Sequence, residues 1–253
     1  MQRYALAIIL VLSVCIVGCM FNKPVKGSER HEFEYTVAID LGNYVGDRSI
    51  DGGPIYNVTL ILPYPCLNGT PLKLEKPSKP KGWNVSIVDT PYGKMLKIEA
   101  DVIEPVHMPV TPIPIEPGET PKEIVTAKMP ELNNLRIEVR VNRSVNTLSP
   151  FEEYRLNPKI DVREIECPAE EEVHYDPKKL KCYEFKTKIF AKYDGNTDVH
   201  IHIYISLEGR NTWFSYGWTG NQFREWIAIE LNGSQNGWID AIGHAMCGMG
   251  RYR

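Results

Sequence analysis

The sequence predicts an all-β protein, an antiparallel β-sandwich of about nine or ten strands, and three observations predict it. Hydrophobic residues recur mostly with a period of two. The recurring runs are rich in β-branched and aromatic residues and are bounded by Gly, Pro, Asn and Asp. No amphipathic helix of three turns is found between residues 31 and 253. Many short strands with turn signals and almost no helix pack as two antiparallel layers, with a closed barrel as the alternative.

Taken in order, Phe33, Tyr35, Val37, Ile39 and Leu41 alternate with mostly polar residues, and Tyr56, Val58, Leu60 and Leu62 do the same. Val85 to Val88 and Met95 to Val102 read as a hairpin turning at Asp89-Thr90-Pro91-Tyr92-Gly93. Residues 104 to 130 hold seven prolines, which cannot donate ladder hydrogen bonds, so this stretch reads as an extended excursion with a brief strand at Glu123 to Lys128. Alternation resumes at Leu135, Ile137, Val139 and Val141, and residues 143 to 181 read as a polar, acidic loop. The strongest local signal is the pair of runs flanking Asp194-Gly195-Asn196-Thr197-Asp198, read as one long antiparallel hairpin. Trp226 to Leu231 and Trp238 to Met246 supply the last strands.

Domain organisation follows: residues 1–18 as a signal peptide or membrane anchor, 19–30 as a tether, and 31–253 as one β-sandwich, with 143–181 as the place where two smaller β domains would divide. With 253 residues, 43% of them hydrophobic, the chain has enough apolar material for such a core. A formal charge of -3, a sequence pI near 6.1 and Lys and Arg interleaved with Glu exclude nucleic acid as the partner.

Residues 1–22 carry Arg3, an uncharged apolar run from Tyr4 to Gly18, and then Cys19. This is signal-peptide anatomy. Ile16-Val17-Gly18-Cys19 resembles the lipobox of prokaryotic lipoproteins, with Ile in place of the more usual Leu at its first position. The resemblance implies acylation of Cys19 and a chain held at the outer face of a membrane. The competing readings are an uncleaved helical anchor, since Tyr4 to Phe21 is 18 residues long, and plain secretion. Five N-x-S/T sequons, at Asn57, Asn68, Asn84, Asn142 and Asn232, exceed the one or so that composition predicts and also point to export, with glycosylation at those positions. Beyond Cys15 and Cys19, four cysteines remain, an even number that suits two disulfides. Cys167 with Cys182 closes the acidic loop, which leaves Cys66 with Cys247, a link that argues for one body.

Three constellations carry possible chemistry. His200 and His202 form H-x-H in a strand whose other face, Val199 to Leu207, is apolar; the two imidazoles then share a face about 6.5–7 Å apart at Cα and are candidate metal ligands, with His244, His174 or Glu184 as the third. The plainer expectation is a solvated face. Asp194, Asn196 and Asp198 alternate like calcium-loop ligands, but Val199 and Ile205 stand where an EF-hand has Gly and Glu. Trp213, Tyr216, Trp218 and Trp226, with Asn221, form an aromatic platform on which a sugar would stack; the plainer reading is packing beneath a turn. The string Trp213 to Phe223, W-F-x-x-G-W-x-G-N-x-F, is similar to a segment of uncharacterised archaeal surface proteins and implies no activity. The chain holds no GxSxG, phosphate-binding Gly loop, HExxH or C-x-x-C, no cofactor is implied, and the acidic runs at Glu152-Glu153 and Glu170 to Glu172 read as solvated loop. The sequence therefore points to a membrane-tethered, non-catalytic binding or structural protein whose partner is a surface glycan or an envelope protein.

Overall fold

The computed structural model describes residues 30–45, 48–51, 53–74, 77–108, 129–131, 133–140, 144–147, 154–168, 180–214 and 218–251. The signal or anchor segment with Cys19, residues 109–128 of the proline-rich stretch with its expected strand at 123–128, Asn142, His174, Tyr216 and the acidic runs lie outside them.

The fold is all-β, a large curled antiparallel sheet with a sandwich-like second layer, as the alternation predicts. Its main sheet runs through nine strands. They are β1 (Arg30–Val45), β3 (Ile55–Leu62), β6 (Asn84–Thr90), β7 (Gly93–Ile103), β10 (Asn133–Arg140), β13 (Lys181–Asp194), β14 (His200–Phe214), β15 (Trp218–Asn232) and β16 (Gln235–Arg251), in the spatial order β10-β1-β14-β15-β16-β13-β3-β7-β6. Two further strands, β2 (Arg48–Asp51) and β12 (Ile160–Ile165), pair with β1 and β13. The small sheet is β11-β4-β5, from β4 (Tyr64–Leu67), β5 (Thr70–Pro71) and β11 (Arg155–Asn157), and β8 (Val106–Met108) pairs with β9 (Met129–Glu131).

The curl follows from connectivity. Ser78 bridges Arg136 on the outer edge of β10, donating to its carbonyl at 3.0 Å and accepting from its N–H at 2.8 Å. Six residues later the chain enters β6, at the opposite end of the sheet. Six extended residues span about 20 Å, whereas nine flat strands would span nearly 40 Å. The sheet therefore bends its two ends toward each other, and its inward face holds the core. Phe33, Tyr35, Val37, Ile39 and Leu41 of β1 and Ile201, Ile203, Ile205 and Leu207 of β14 are all buried there. Tyr64 and Leu156 of the small sheet join the same cluster. Tyr35 donates its hydroxyl to the Pro63 carbonyl at 2.8 Å and meets Tyr64 edge-on at 5.2 Å, which satisfies its one polar atom in the interior.

Two glycines make room for aromatic rings in that core. A Cβ on Gly209 would stand 2.1 Å from Cε1 of Phe223, its cross-strand partner, and one on Gly243 would stand 2.4 Å from Cζ of Phe185.

The hairpin β6–β7 forms as expected, around Pro91-Tyr92. The turn between β4 and β5 is Asn68-Gly69, both at positive φ (49° and 76°), the geometry that favours an Asn-Gly pair in a two-residue hairpin. The expected β13–β14 hairpin is not formed. Both strands exist, but β13 pairs with β16 and β3, and β14 pairs with β1 and β15. The β15–β16 hairpin lies between them, and residues 195–199 arch over its turn: Ser234 Oγ accepts from Gly195 N at 3.0 Å and donates to Gly195 O at 2.9 Å, and Gly233 N donates to Val199 O at 2.9 Å. The polar stretch read as loop contains β11 and β12.

Candidate functional site

Period two continues along β14 and β15 past the end of the apolar core. On β14 the inward positions run Leu207, Gly209, Asn211, Trp213; on β15 they run Asn221, Phe223, Glu225, Ile227. Hydrophobic side chains give way to polar ones at one end of the sheet, and there a cleft of about 270 Å³ opens, lined by His31, Asn211, Trp213, Asn221 and residues 144–147.

Asn211 organises it. Only 6% exposed, it accepts from Val145 N at 2.8 Å and from His31 Nδ1 at 3.0 Å through Oδ1, and donates through Nδ2 to Val145 O at 2.8 Å and to Asn221 Oδ1 at 2.6 Å. Every hydrogen-bonding position of a buried amide is thus used. Thr147, also buried, donates its hydroxyl to Asn221 Oδ1 at 2.8 Å.

A buried charge cluster fixes the other side of the 144–147 segment. Glu225, 0% exposed, accepts from Lys159 Nζ at 2.5 Å, lies 3.7 Å from Arg155 Nε, and accepts from Leu156 N at 2.8 Å. Arg155 lies 3.6 Å over the Phe223 ring and donates to Asn146 O at 2.7 Å. Burial pulls Lys159 below its ordinary value, against the opposing pull of Glu225. The saturated geometry of these three groups makes them a support that presses residues 154–159 and the cleft wall onto β15. Nothing in the sequence marks the cluster, because Glu225 is one polar residue between apolar inward neighbours and its partners lie about 70 positions away.

The aromatic platform expected from Trp213 to Trp226 is divided. Trp213 and Asn221 share the inward face and line the cleft, but Trp226 has the other parity and lies on the outer face, 5.4 Å from the His244 ring and packed against the cluster of Leu180, Cys182 and Met246. Trp218 pairs with Phe214 at the start of β15, and its side chain lies outside the described ones. A single strand separates the two faces completely, so the indoles of Trp213 and Trp226 cannot present one surface.

The two strand histidines share the outer face as expected. His200 Nδ1 lies 3.4 Å from Glu230 Oε1, and His202, opposite Asp40 and Glu230, has a buried Nε2 without a hydrogen-bond partner among the described residues. Of the nominated third ligands, the two within the described residues are engaged elsewhere: His244 with Trp226, and Glu184 with Arg163 at 2.5 Å. Among the described residues no group of three His, Cys, Asp or Glu side chains could hold a metal ion. Asp194, of the calcium-like series, accepts from Asn57 Nδ2 at 2.7 Å.

Cys167 and Cys182 are joined as a disulfide, fifteen positions apart. Cys66 and Cys247 are free, buried thiols, which corrects the second expected pair. Cys66 donates to Lys94 O at 3.6 Å, and Cys247 lies on β16 between Lys181 and Phe223. Burial pushes each thiol up to about 11, so both stay protonated at neutral pH. Even number was a poor guide because two of the four cysteines are small core residues. The sequon asparagines Asn57, Asn68, Asn84 and Asn232 are all exposed, whereas Asn133 and Asn211 are buried.

Comparison with known proteins adds one relative and no activity. No family model matches the chain, and no solved structure matches it. Over 198 residues, 74% of this chain and 73% of the relative, the chain is 27% identical to an uncharacterized protein of Archaeoglobus fulgidus.

Proposed function

We propose that this chain is an exported protein, held at the outer face of a membrane through Cys19, with a non-catalytic binding role at the cell surface. The observation that carries the reading is the placement of the sequons: each of the four within the described residues puts its asparagine on the exposed surface, where a glycan is accommodated without disturbing the core. The Cys167–Cys182 disulfide suits the same oxidising compartment. The cleft beside Arg30, where the tether enters the sheet, is its binding site, because there the polar groups are fixed while open space remains.

The test is fractionation and mass spectrometry of the native protein. The expected result is a membrane-bound chain beginning at an acylated Cys19, released or unprocessed in Cys19→Ser, with glycan mass on peptides containing Asn57, Asn68, Asn84 or Asn232. A mature chain that keeps Met1, is free of the membrane fraction and carries no glycan overturns the reading.

A further inference from the structure

The hydrogen-bond chain of the cleft assigns its own protons. Val145 contributes a backbone N–H, which only donates, and a backbone carbonyl, which only accepts, so they fix which end of the Asn211 amide is oxygen. With Asn211 Oδ1 an acceptor, the His31 nitrogen 3.0 Å away must be the protonated one. Nδ1 then carries the hydrogen, and Nε2 of the neutral ring keeps its lone pair. On the other side, Asn211 Nδ2 donates to Asn221, which makes that contact Asn221 Oδ1. Thr147 must donate to the same oxygen. The Asn221 Nδ2 amino group is left with no acceptor among the described residues, and it is not sealed from solvent.

The cleft consequently presents an uncommitted acceptor on His31 and an uncommitted donor on Asn221, held by a network whose other positions are filled, beside the half-buried indole of Trp213. None of its lining residues is Asp, Glu, Lys or Arg. At about 270 Å³ it lies at the small end of ligand pockets. Among the described residues an anion or a cation finds no counter-charge in the lining. A hydroxylated ring finds what it needs: one hydroxyl to donate, a neighbour to accept, and an apolar face for an indole.

We propose that this cleft binds a single neutral sugar residue, with His31 Nε2 accepting from one hydroxyl, Asn221 Nδ2 donating to another and Trp213 covering the ring. The proposal rests on the surface-protein reading above and names the ligand class of the same site. Twelve residues separate Cys19 from His31, at most about 40 Å when extended. A neutral glycosyl headgroup of the same membrane and a glycan of a neighbouring surface polymer are therefore both within reach, and they share the chemistry that the cleft recognises.

The experiment uses the full processed chain in detergent. Binding is measured to an array of neutral and charged oligosaccharides, and to phosphatidylcholine vesicles with and without a neutral glycosyl lipid. The expected result is retention on neutral glycans, with a dissociation constant at least tenfold higher for Asn221→Asp, which keeps the oxygen that Asn211 and Thr147 need and exchanges the free donor for a charged acceptor. Trp213→Ala, which leaves the network intact, loses binding to a similar extent. Both variants keep the wild-type melting midpoint within a few degrees. Stronger binding to vesicles than to the soluble glycan assigns the headgroup as the source, and the reverse assigns the polymer. Failure of folded wild-type protein to bind any neutral glycan, a preference for charged glycans, or unchanged affinity in Asn221→Asp overturns the proposal. Sugar binding by a wild-type chain found never to have been lipidated would leave this proposal standing and sink the tether alone, while a lipidated chain that binds no sugar does the opposite.

Discussion

Replacing Glu225 with Gln tests the support beneath the cleft. The substitution preserves volume and an oxygen for Leu156 N, and removes the negative charge that Lys159 and Arg155 share among the described residues. At an effective dielectric of about 20, the contacts at 2.5 and 3.7 Å amount to gross attractions of about 7 and 4–5 kcal/mol, much of which offsets the cost of burying the charges. The net loss has a ceiling, because Lys159 can shed its proton: neutralising a lysine of ordinary pKa at pH 7 costs about 5 kcal/mol. Arg155 cannot, but it keeps its bond to Asn146 O and its place over Phe223. We expect a loss of about 3–5 kcal/mol, a large part of the stability of a typical domain. Urea denaturation followed by tryptophan fluorescence measures it. The loss should shrink from pH 7 to pH 9. Burial holds the folded Lys159 below its ordinary value, so the unfolded chain binds more protons and stability from this group rises with pH. Removing Glu225 takes away the charge that opposed this depression, so the variant gains more than the wild type over that range. A cost under 1 kcal/mol at pH 7, or one that does not change by pH 9, would refute the view that these charges hold residues 154–159 in place.

Reducing the Cys167–Cys182 bond, or replacing both residues with Ser, should lower stability by about 3 kcal/mol for a loop of fifteen residues, read as a fall in the melting midpoint; Cys66→Ser should show no added sensitivity to reductant. Thiol titration should find Cys66 and Cys247 reactive only after unfolding. Unfolded thiols release their protons near 9 and the folded ones hold them to about 11, so each should withdraw on the order of 2–3 kcal/mol of stability as pH rises across that interval, measured by denaturation at pH 8 and pH 10.5. Gly209→Ala should cost 2 kcal/mol or more by driving a methyl group into the Phe223 ring, and Phe223→Leu in the same chain should restore part of it, as two denaturation midpoints would show.

Much of the strand content was legible because alternation is written residue by residue: Phe33 to Leu41 and Val199 to Leu207 announce both a strand and its buried face. Pairing was not, since period two says nothing about which strand lies alongside. Asp194 to Asp198 has the composition of a hairpin turn, yet it arches over the Gly233-Ser234 turn, and only contacts forty residues away in sequence decide this. Of the cleft, Trp213 and Asn221 were within reach, and their common parity with Leu207 and Phe223 would also have separated them from Trp226. His31 and Thr147 were not, because only the β1–β14 register and the packing of residues 144–147 bring them to Asn211.

In the binding role proposed for the cleft, Asn211 acts without needing to touch a ligand. A surface amide free to rotate must be ordered when something binds, at about 0.5–1.5 kcal/mol for each side chain immobilised. In this cleft the ordering is completed during folding, because two bonds to the Val145 backbone lock Asn211 and it in turn orients His31 and Asn221. Conformational entropy that a looser site would lose on every encounter is lost once, when the sheet forms.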